Sequence, residues 1–515
     1  MRYVLGVREL LNEAKNVVAS RPSILLGRTL LDPAQLQGVD KIADAIAYGG
    51  MSVGVGPPGT GKTVMFNVTQ SDVFEKLDKS EVIVYVAPTN RLVEECTVRT
   101  LAYLLVKGFN EAELGNLIRV YGSRFKPEPL KNDVKIVFTT PFQPGALKDL
   151  SRIKDAVHLM VDEASTTPLH GPFIELAMSM VKAHKNKRME WLYSFSVIGD
   201  PMQAIAEGYK SSEKFKLLIV GRTLMKLIPE DERKVVQQDP PKIFELANKH
   251  ASSLGIKYFF LDNTYRIPKP TELLVSIPFY NEMLKGVESY KQRLKDIKLE
   301  APSLRSSVLE RCRRLKDEIL HKVDNALDSQ IPIVYVRDRG LAYTYRAHGV
   351  VIGRRPQEID ELDVFRAELA SEIAAYLFTT TVDDVKIDVL TPYTEMKTQI
   401  QLTLKRLIDA KLDQKLRQRI RVSTIHSALG SEADIIVVAL GKEYKGDETT
   451  TIYFQTPELI NVQFSRHKKL LVIIGNIERL VRGFEKSGYA HISRLTEALN
   501  KLRGQGLISE VKTQG

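Results

Sequence analysis

Short, continuous apolar runs rich in β-branched residues recur along the chain. A first block holds Val53–Val55, Val82–Val86, Val134–Phe138, His158–Val161 and Phe195–Ile198. A second holds Tyr258–Leu261, Ile333–Val336, Val385–Leu390, Arg421–Thr424, Asp434–Leu440 and Leu470–Ile474. Longer amphipathic stretches separate most of them. Strands that are apolar at nearly every position, with helical segments between, predict parallel sheets covered on both faces. Two such blocks predict two doubly wound α/β domains in tandem. In folds of this kind ligands gather at the C-terminal ends of the strands, so the polar residues there carry the functional information.

Two segments read as additions to the sheets. Residues 208–241 are polar and include Asp239-Pro240-Pro241; residues 285–330 are densely charged. Within the second, Val308, Cys312, Leu315, Ile319 and Val323 recur at helical spacing, with Arg311, Arg313, Arg314 and Lys316 between them. That pattern predicts one amphipathic helix with a basic outer face, either packed on its parent domain as a solvated helix or serving as a nucleic-acid-contacting arm. Cys96 falls on a predicted helix and reads as a packing residue. The lone tryptophan, Trp191, has no motif around it.

Composition narrows the classes. Two cysteines in 515 residues exclude a disulfide scaffold and a multi-cysteine metal site, and fit a reducing, intracellular setting. The first twenty residues carry Arg2, Arg8, Glu9, Glu13 and Lys15, which is unlike a signal peptide. With no run of about 18 apolar residues, no membrane span is expected. Lys and Arg exceed Asp and Glu by 74 to 63, a net charge of +11. A basic surface attracts polyanions, nucleic acid foremost, but an excess of this size also serves plain solubility.

The chemistry begins at Gly56-Pro57-Pro58-Gly59-Thr60-Gly61-Lys62-Thr63. It fits G-x-x-x-x-G-K-[ST], follows the strand Val53–Val55 and opens a helical stretch. In such a loop the backbone N–H groups of Gly59, Thr60 and Gly61 curl around phosphates at a helix N-terminus. Lys62 would reach the β- and γ-phosphates, and the Thr63 hydroxyl would hold Mg²⁺. Gly54-Val55-Gly56-Pro57-Pro58-Gly59 also matches G-x-G-x-x-G, but Gly61-Lys62-Thr63 belongs to the triphosphate pattern alone. The strand His158–Val161 ends in Asp162-Glu163, which places Asp162 for Mg²⁺ and Glu163 for the attacking water. After the next strand comes Gly199-Asp200-Pro201-Met202-Gln203; Gln203 is either a γ-phosphate sensor or a turn residue.

With these signals together the sequence resembles the superfamily 1 helicases, from about Leu31 to Asn476. Leu31-Asp32-Pro33-Ala34-Gln35 is similar to the family's adenine-reading motif, which points to Gln35. Ala87-Pro88-Thr89-Asn90 and Thr139-Thr140-Pro141 resemble strand-contacting motifs, as do Thr391-Pro392-Tyr393 and Val422-Ser423-Thr424. In Asn263-Thr264-Tyr265-Arg266 the resemblance implies that Tyr265 stacks on adenine and that Arg266 is an arginine finger. Gly430-Ser431-Glu432 adds Glu432 as a nucleotide contact, and Asn461-Val462-Gln463-Phe464-Ser465-Arg466 gives Arg466 as the second finger. The loop with Pro57-Pro58, Phe279-Tyr280-Asn281 and Thr391-Pro392-Tyr393 are most similar to the Upf-like branch, which moves 5′→3′. Met202-Gln203-Ala204-Ile205 is closer to UvrD-type and RecD-like enzymes. Several positions depart from the family: His426 and Leu429 replace the usual Asp and Gln of motif V, and Met396 the glutamine after Thr-Pro-Tyr. Ser465-Arg466-His467 stands where Thr-Arg-Ala is usual. His426 and His467 read as polar wall residues, since zinc would need three or four converging ligands.

The resemblance implies two RecA-like domains with helical insertions: an N-terminal helical segment 1–30, a first domain 31–250 and a second 251–515. With only about 30 residues before Gln35, the accessory barrel that some Upf-like enzymes carry there is not expected. Its implied function is an ATP- and Mg²⁺-dependent helicase or translocase, hydrolysing ATP between the domains and ratcheting single-stranded DNA or RNA. Pro88, Thr89, Asn90, Thr140, Thr391, Tyr393 and Thr424 are the expected strand contacts. The altered motif V keeps a second reading open, an ATP-gated clamp or remodelling ATPase that does not unwind processively.

Overall fold

The computed structural model describes residues 5–20, 28–126, 128–143, 147, 150–167, 192–203, 214–295, 297, 302–338, 347–352, 355–408, 418–428, 431–441 and 456–513. They divide into two compact units, each built on its own parallel sheet. Trp191, Leu429, Gly430 and the start of the 208–241 segment lie outside the described residues.

The first unit has seven strands: β1 (Gly50–Val55), β2 (Glu81–Val86), β3 (Ile118–Tyr121), β4 (Ile136–Thr139), β5 (Ala156–Val161), β6 (Leu192–Gly199) and β7 (Lys257–Phe260). Their order is β3-β4-β2-β5-β6-β1-β7, and every neighbouring pair is parallel. All seven therefore end on the same side, which brings the phosphate loop after β1 and Asp162 after β5 to one edge of the sheet. The apolar runs predicted these strands because both sheet faces are covered and alternation is lost. Helices Val7–Ser20, Pro33–Tyr48, Lys62–Val73 and Asn90–Val106 bury one face of the sheet, around Phe66, Tyr85, Cys96, Phe138 and Phe259.

One strand corrects the sequence reading. Tyr258–Leu261 belongs by pattern to the second block, but β7 pairs with β1 at the edge of the first sheet. The reason is local packing. The Phe259 ring lies where a side chain on Gly38 or Gly54 would otherwise stand, and Lys41 donates to the Tyr258 carbonyl at 2.5 Å.

The main sheet of the second unit has six strands among the described residues: β8 (Ile333–Arg337), β9 (Ile387–Thr391), β10 (Ile420–Thr424), β11 (Ala433–Ala439), β12 (His467–Gly475) and β13 (Ile508–Lys512). The order is β10-β9-β11-β12-β8-β13, again parallel throughout. The two sheets have RecA-like topology. The long helix Glu361–Thr380 is buried around nearly its whole circumference, packed against Thr394–Leu407 and the sheet. At its start Arg366 forms a fully buried pair with Asp338, 2.7 Å from Nε to Oδ2, and also donates to the carbonyls of Leu440 and Gly441.

The charged segment is a second correction. In place of one helix across Val308–Val323 there are two, Pro302–Leu309 and Asp317–Asp328. The break is organised by Glu372, a fully buried carboxylate on the long helix. It accepts the backbone N–H groups of Arg313, Arg314 and Leu315 at 2.7–2.9 Å, so those donors are spent on a side chain and not on a helical turn. Val308, Leu315, Ile319 and Val323 still reach the core, which is why their spacing reads as one stripe.

Each unit also carries one thiol. Cys96 is fully buried and takes a bond from Asn67 Nδ2 at 2.9 Å; Cys312 is half-buried beside the Val308 carbonyl. Burial pushes both thiols up to about 12.

Replacing Glu372 by Ala strands three backbone donors. The expected cost is about 3 kcal/mol, read as a lower denaturation midpoint for the second unit, with Glu372→Gln losing less. An unchanged midpoint in Glu372→Ala would show that the break is held by packing alone.

Candidate nucleotide site and strand-facing loops

In the first unit β1 runs straight into the loop. The Gly56 N–H donates to the Gly199 carbonyl at 3.1 Å, extending the β1–β6 ladder by one bond before the chain turns. The turn closes at Gly61, with φ +77°, where a Cβ would stand 2.6 Å from Gln35 Nε2. Glycine is thus required both for the left-handed backbone and for the approach of Gln35. Lys62 and Thr63 begin the helix Lys62–Val73. The Lys62 ammonium, almost wholly buried, donates to the Gly56 carbonyl at 2.8 Å across the loop and lies 3.6 Å from Glu163 Oε1.

Gln35 is fixed at the start of its helix by a reciprocal cap. Its N–H donates to Asp32 Oδ1 at 2.9 Å, and Asp32 N–H donates to Gln35 Oε1 at 3.0 Å. The remaining amide nitrogen donates to the Thr60 carbonyl at 2.9 Å. The residue read for adenine is therefore tied directly to the phosphate loop, and Asn263 reaches the same Asp32 at 3.4 Å.

Asp162 is the most constrained group of this edge. It is fully buried; Oδ2 accepts from Thr63 Oγ1 at 3.1 Å and from the Tyr85 hydroxyl at 2.8 Å, and Oδ1 accepts from Glu163 N–H at 2.8 Å. Burial, with the Glu163 charge next to it, pushes its carboxyl upward, opposed by Lys62 and by those hydrogen bonds. Glu163 has a left-handed backbone, φ 46°, unusual for a non-glycine residue. Thr166 holds that turn through two bonds to the Glu163 carbonyl, both at 3.0 Å. Behind it, Ala164 N–H donates to Ile198, and the helix Ile219–Leu227 is anchored by N–H donation from Ile219 to Thr167 and from Val220 to Ala164. The polar 208–241 segment thus contributes a buttress to the Asp-Glu turn. Tyr85 and this buttress escaped the sequence reading: Tyr85 is one more apolar strand position by pattern, and only the β2–β5 register, Tyr85 opposite Met160, carries it to Asp162.

The second unit assembles its own cluster. Arg266 Nε donates to Glu432 at 2.8 Å, and Lys468 pairs with the other oxygen of Glu432. Burial alone would raise the Glu432 carboxyl; Arg266 and Lys468 outweigh it and hold it at about 2. Arg293, on the short helix Tyr290–Leu294, donates to the backbone carbonyls of Tyr265, Arg266 and Lys468. It fixes the Tyr-Arg motif from within the charged segment, and its place among many surface cations gave no signal of that. Tyr265 is 39% exposed. Arg466 is buried, donating to the Ser431 carbonyl and to Gln203 Oε1, each at 3.4 Å. Gln203 and Met202 group with this second unit, where Asn461 donates to the Met202 carbonyl and to the Tyr280 hydroxyl. His467 is fully buried against the Thr271 hydroxyl at 2.8 Å; burial, then Arg293, drives its pKa down to about 3, so it is neutral.

The expected strand contacts divide by exposure. Thr89 is exposed and caps the helix Asn90–Val106, Pro88 and Asn90 are half-buried, and Thr424 is half-buried beside Ser427. Tyr393 is half-buried at the start of the helix Thr394–Leu407. Thr140 and Thr391 are buried, and the Thr391 hydroxyl donates to Met396 Sδ at 3.1 Å. At these two positions the whole residue is withdrawn from the surface.

Comparison with known proteins adds an independent line. A DEAD/DEAH box helicase family model matches residues 33–196, and an AAA domain family model matches residues 243–478. The Schizosaccharomyces pombe protein named helicase required for RNAi-mediated heterochromatin assembly 1 is 28% identical over 118 residues. That match takes in 23% of this chain and only 11% of the relative's length. Among solved structures, similarity extends to Arterivirus nonstructural protein 10, a helicase, in complex with DNA, at 12% identity and TM-score 0.34 over 87% of this chain and 65% of that one. It extends also to S. cerevisiae Dbp5 bound to RNA and ADP BeF3, at 12% identity and TM-score 0.36 over 94% of each chain. The first family model overlies the phosphate loop and the Asp-Glu strand; the second runs from β7 through β12, along the stretch that holds the Tyr-Arg motif and Arg466. The order and content of these two matches agree with the motifs of the sequence, and the chain is similar to the superfamily 1 helicases of the Upf-like branch.

Proposed function

We propose that the protein is an ATP-dependent helicase or translocase on single-stranded nucleic acid, moving 5′→3′. The observation that carries this reading is the first unit's carboxylate–hydroxyl pair: Thr63 Oγ1 and Asp162 Oδ2, 3.1 Å apart, with Lys62 and Glu163 beside them. The residues fit MgATP. The loop curls at Gly59 and Gly61, both with positive φ, and the buried Lys62 ammonium donates to a loop carbonyl beside the Glu163 carboxylate. Thr63 and Asp162 would hold the metal, and the backbone of Gly59, Thr60 and Gly61 with Lys62 the phosphates. When bound, MgATP supplies a phosphoanhydride whose γ-phosphoryl group is open to water.

The chain's own work is positional and electrostatic. Lys62 exchanges its bond to Gly56 for phosphate oxygens. The Glu163 carboxylate, aimed by its left-handed backbone, orients water and accepts its proton at an Oε atom. Gln35 retains a free N–H direction and a lone pair for a base edge beyond its bonds to Asp32 and Thr60. Arg266, Arg466 and Gln203 are assigned to the γ-phosphate, Tyr265 to the adenine face and Glu432 to the nucleotide. Glu432 must then release Arg266 when the finger engages. Direction rests on the resemblance of Pro57-Pro58, Phe279-Tyr280-Asn281 and Thr391-Pro392-Tyr393 to the Upf-like branch.

ATP turnover is expected to be slow alone and to rise with single-stranded DNA or RNA, and a 5′-tailed duplex is expected to be unwound while a 3′-tailed one is left intact. The opposite preference would overturn the direction. Stimulated turnover with neither duplex opened would establish instead the remodelling ATPase that the altered motif V, with His426 and Leu429, leaves open. Strand affinity should fall linearly on a log–log plot against salt, with a slope near −0.7 per phosphate contacted; salt-insensitive binding contradicts a phosphate grip.

Glu163→Gln should bind ATP normally yet turn over at least about a hundredfold more slowly. Loss of ATP binding in that variant would make Glu163 a structural residue. Tyr85→Phe removes one of the two hydroxyls on Asp162 Oδ2, and the concentration of Mg²⁺ needed for half-maximal turnover should rise about tenfold, the loss expected for a hydrogen bond to a charged group. An unchanged Mg²⁺ requirement would show that Thr63 and the Glu163 N–H suffice to position the carboxylate.

A further inference from the structure

Three adjacent strands of the first sheet, β3, β4 and β2, end in register: Tyr121 lies opposite Thr139, and Thr139 opposite Val86. Parallel neighbours are about 4.8 Å apart, so the three segments that follow leave the sheet side by side. After β2 come Pro88, Thr89 and Asn90; after β3, Gly122, Ser123 and Arg124; after β4, a turn from Thr140 to Gln143, closed by Gln143 N–H to the Thr140 carbonyl at 3.3 Å. Two of these loops are joined, since Asn90 Nδ2 donates to Ser123 Oγ at 2.9 Å. Gly122 makes that junction possible: a Cβ there would fall 2.1 Å from Asn90 Oδ1.

In the third loop the threonine that resembles a strand contact is 3% exposed, whereas Phe142, two residues on, is 63% exposed at the tip of the turn. A lone exposed apolar residue is ordinary on a protein surface. Phe142 differs from Leu254, Val235 and Leu402 in standing at the C-terminal ends of parallel strands, where this fold gathers ligands. Its surroundings suit a polyanion with planar groups. Thr89 and Ser123 are exposed hydroxyls. Arg91 and Arg124 are 72% and 59% exposed, and their partners Glu95 and Glu94, at 2.9 and 3.6 Å, are surface ion pairs that are given up cheaply. An aromatic face offers stacking to any base, whatever its sequence, while hydroxyls and cations take phosphates.

We propose that Phe142 is the base-stacking platform of the first unit: an unpaired nucleobase lies on its ring, and Thr89, Arg91 and Arg124 take the flanking phosphates. The proposal rests on the single-strand reading above and adds to it the group that receives the base, in place of Thr140. It requires the same use of DNA and RNA, because the ring contacts the base and not the sugar.

The test is equilibrium binding of the full chain to fluorescent oligothymidylate, oligouridylate and an abasic strand of equal length. Phe142→Ala should weaken both base-bearing strands about tenfold, leave the abasic strand unchanged and keep the same salt slope. Phe142→Trp should bind like the parent, and Phe142→Leu like Phe142→Ala. The thermal midpoint should not move, as the side chain is outside the core; if it does, the contrast between Trp and Leu decides. Parental affinity in Phe142→Ala, or equal weakening on the abasic strand, overturns the stacking role and leaves the single-strand reading standing. A parent that binds none of the strands overturns both.

Discussion

The first unit depends on a carboxylate that water cannot reach. A buried anion has to find its donors within the protein, and Asp162 draws them from three elements. Thr63 comes from the helix after the phosphate loop, Tyr85 from β2, and the third donor from the backbone of the Asp-Glu turn itself. Each bond fixes one element against another. The left-handed turn at Glu163, the buttress from Ile219 and Val220, and the position of Lys62 all follow from keeping that carboxylate satisfied. Such a site is organised by the fold ahead of any ligand, which is the condition under which electrostatic groups act at full strength.

The second unit solves a different problem, that of holding cations in place without neutralising them for good. Glu432 shares its charge between Arg266 and Lys468, and Arg293 grips the backbone on either side of Arg266 and not its side chain. Backbone restraint with a side chain left to a half-exposed carboxylate leaves the guanidinium able to change partners.

The sequence made the strand edges and the phosphate chemistry legible for one reason. Both are local: a buried parallel strand writes itself as an unbroken apolar run, and a phosphate loop as glycines at fixed spacing before a helix. What depended on register or on distant partners was not legible. β7 has the same apolar signature as any strand of either sheet, and only Phe259 packing over Gly38 and Gly54 assigns it. The stripe from Val308 to Val323 kept its spacing across a break, because the cause of the break, Glu372, lies more than fifty residues away. Thr140 and Thr391 carried the right identity at the right offset, yet the direction a hydroxyl takes at a strand end is set by what packs beneath it; for Thr391 that is Met396.

The two thiols give the architecture a built-in pair of reporters. A cysteine reacts as its thiolate, and burial holds both Cys96 and Cys312 almost entirely protonated at neutral pH. Cys96 becomes accessible when the core beneath the first sheet opens, and the half-buried Cys312 becomes more reactive when the junction organised by Glu372 loosens. With one thiol in each unit, the rate of alkylation at each records the local opening of its own unit, without any label having to be introduced.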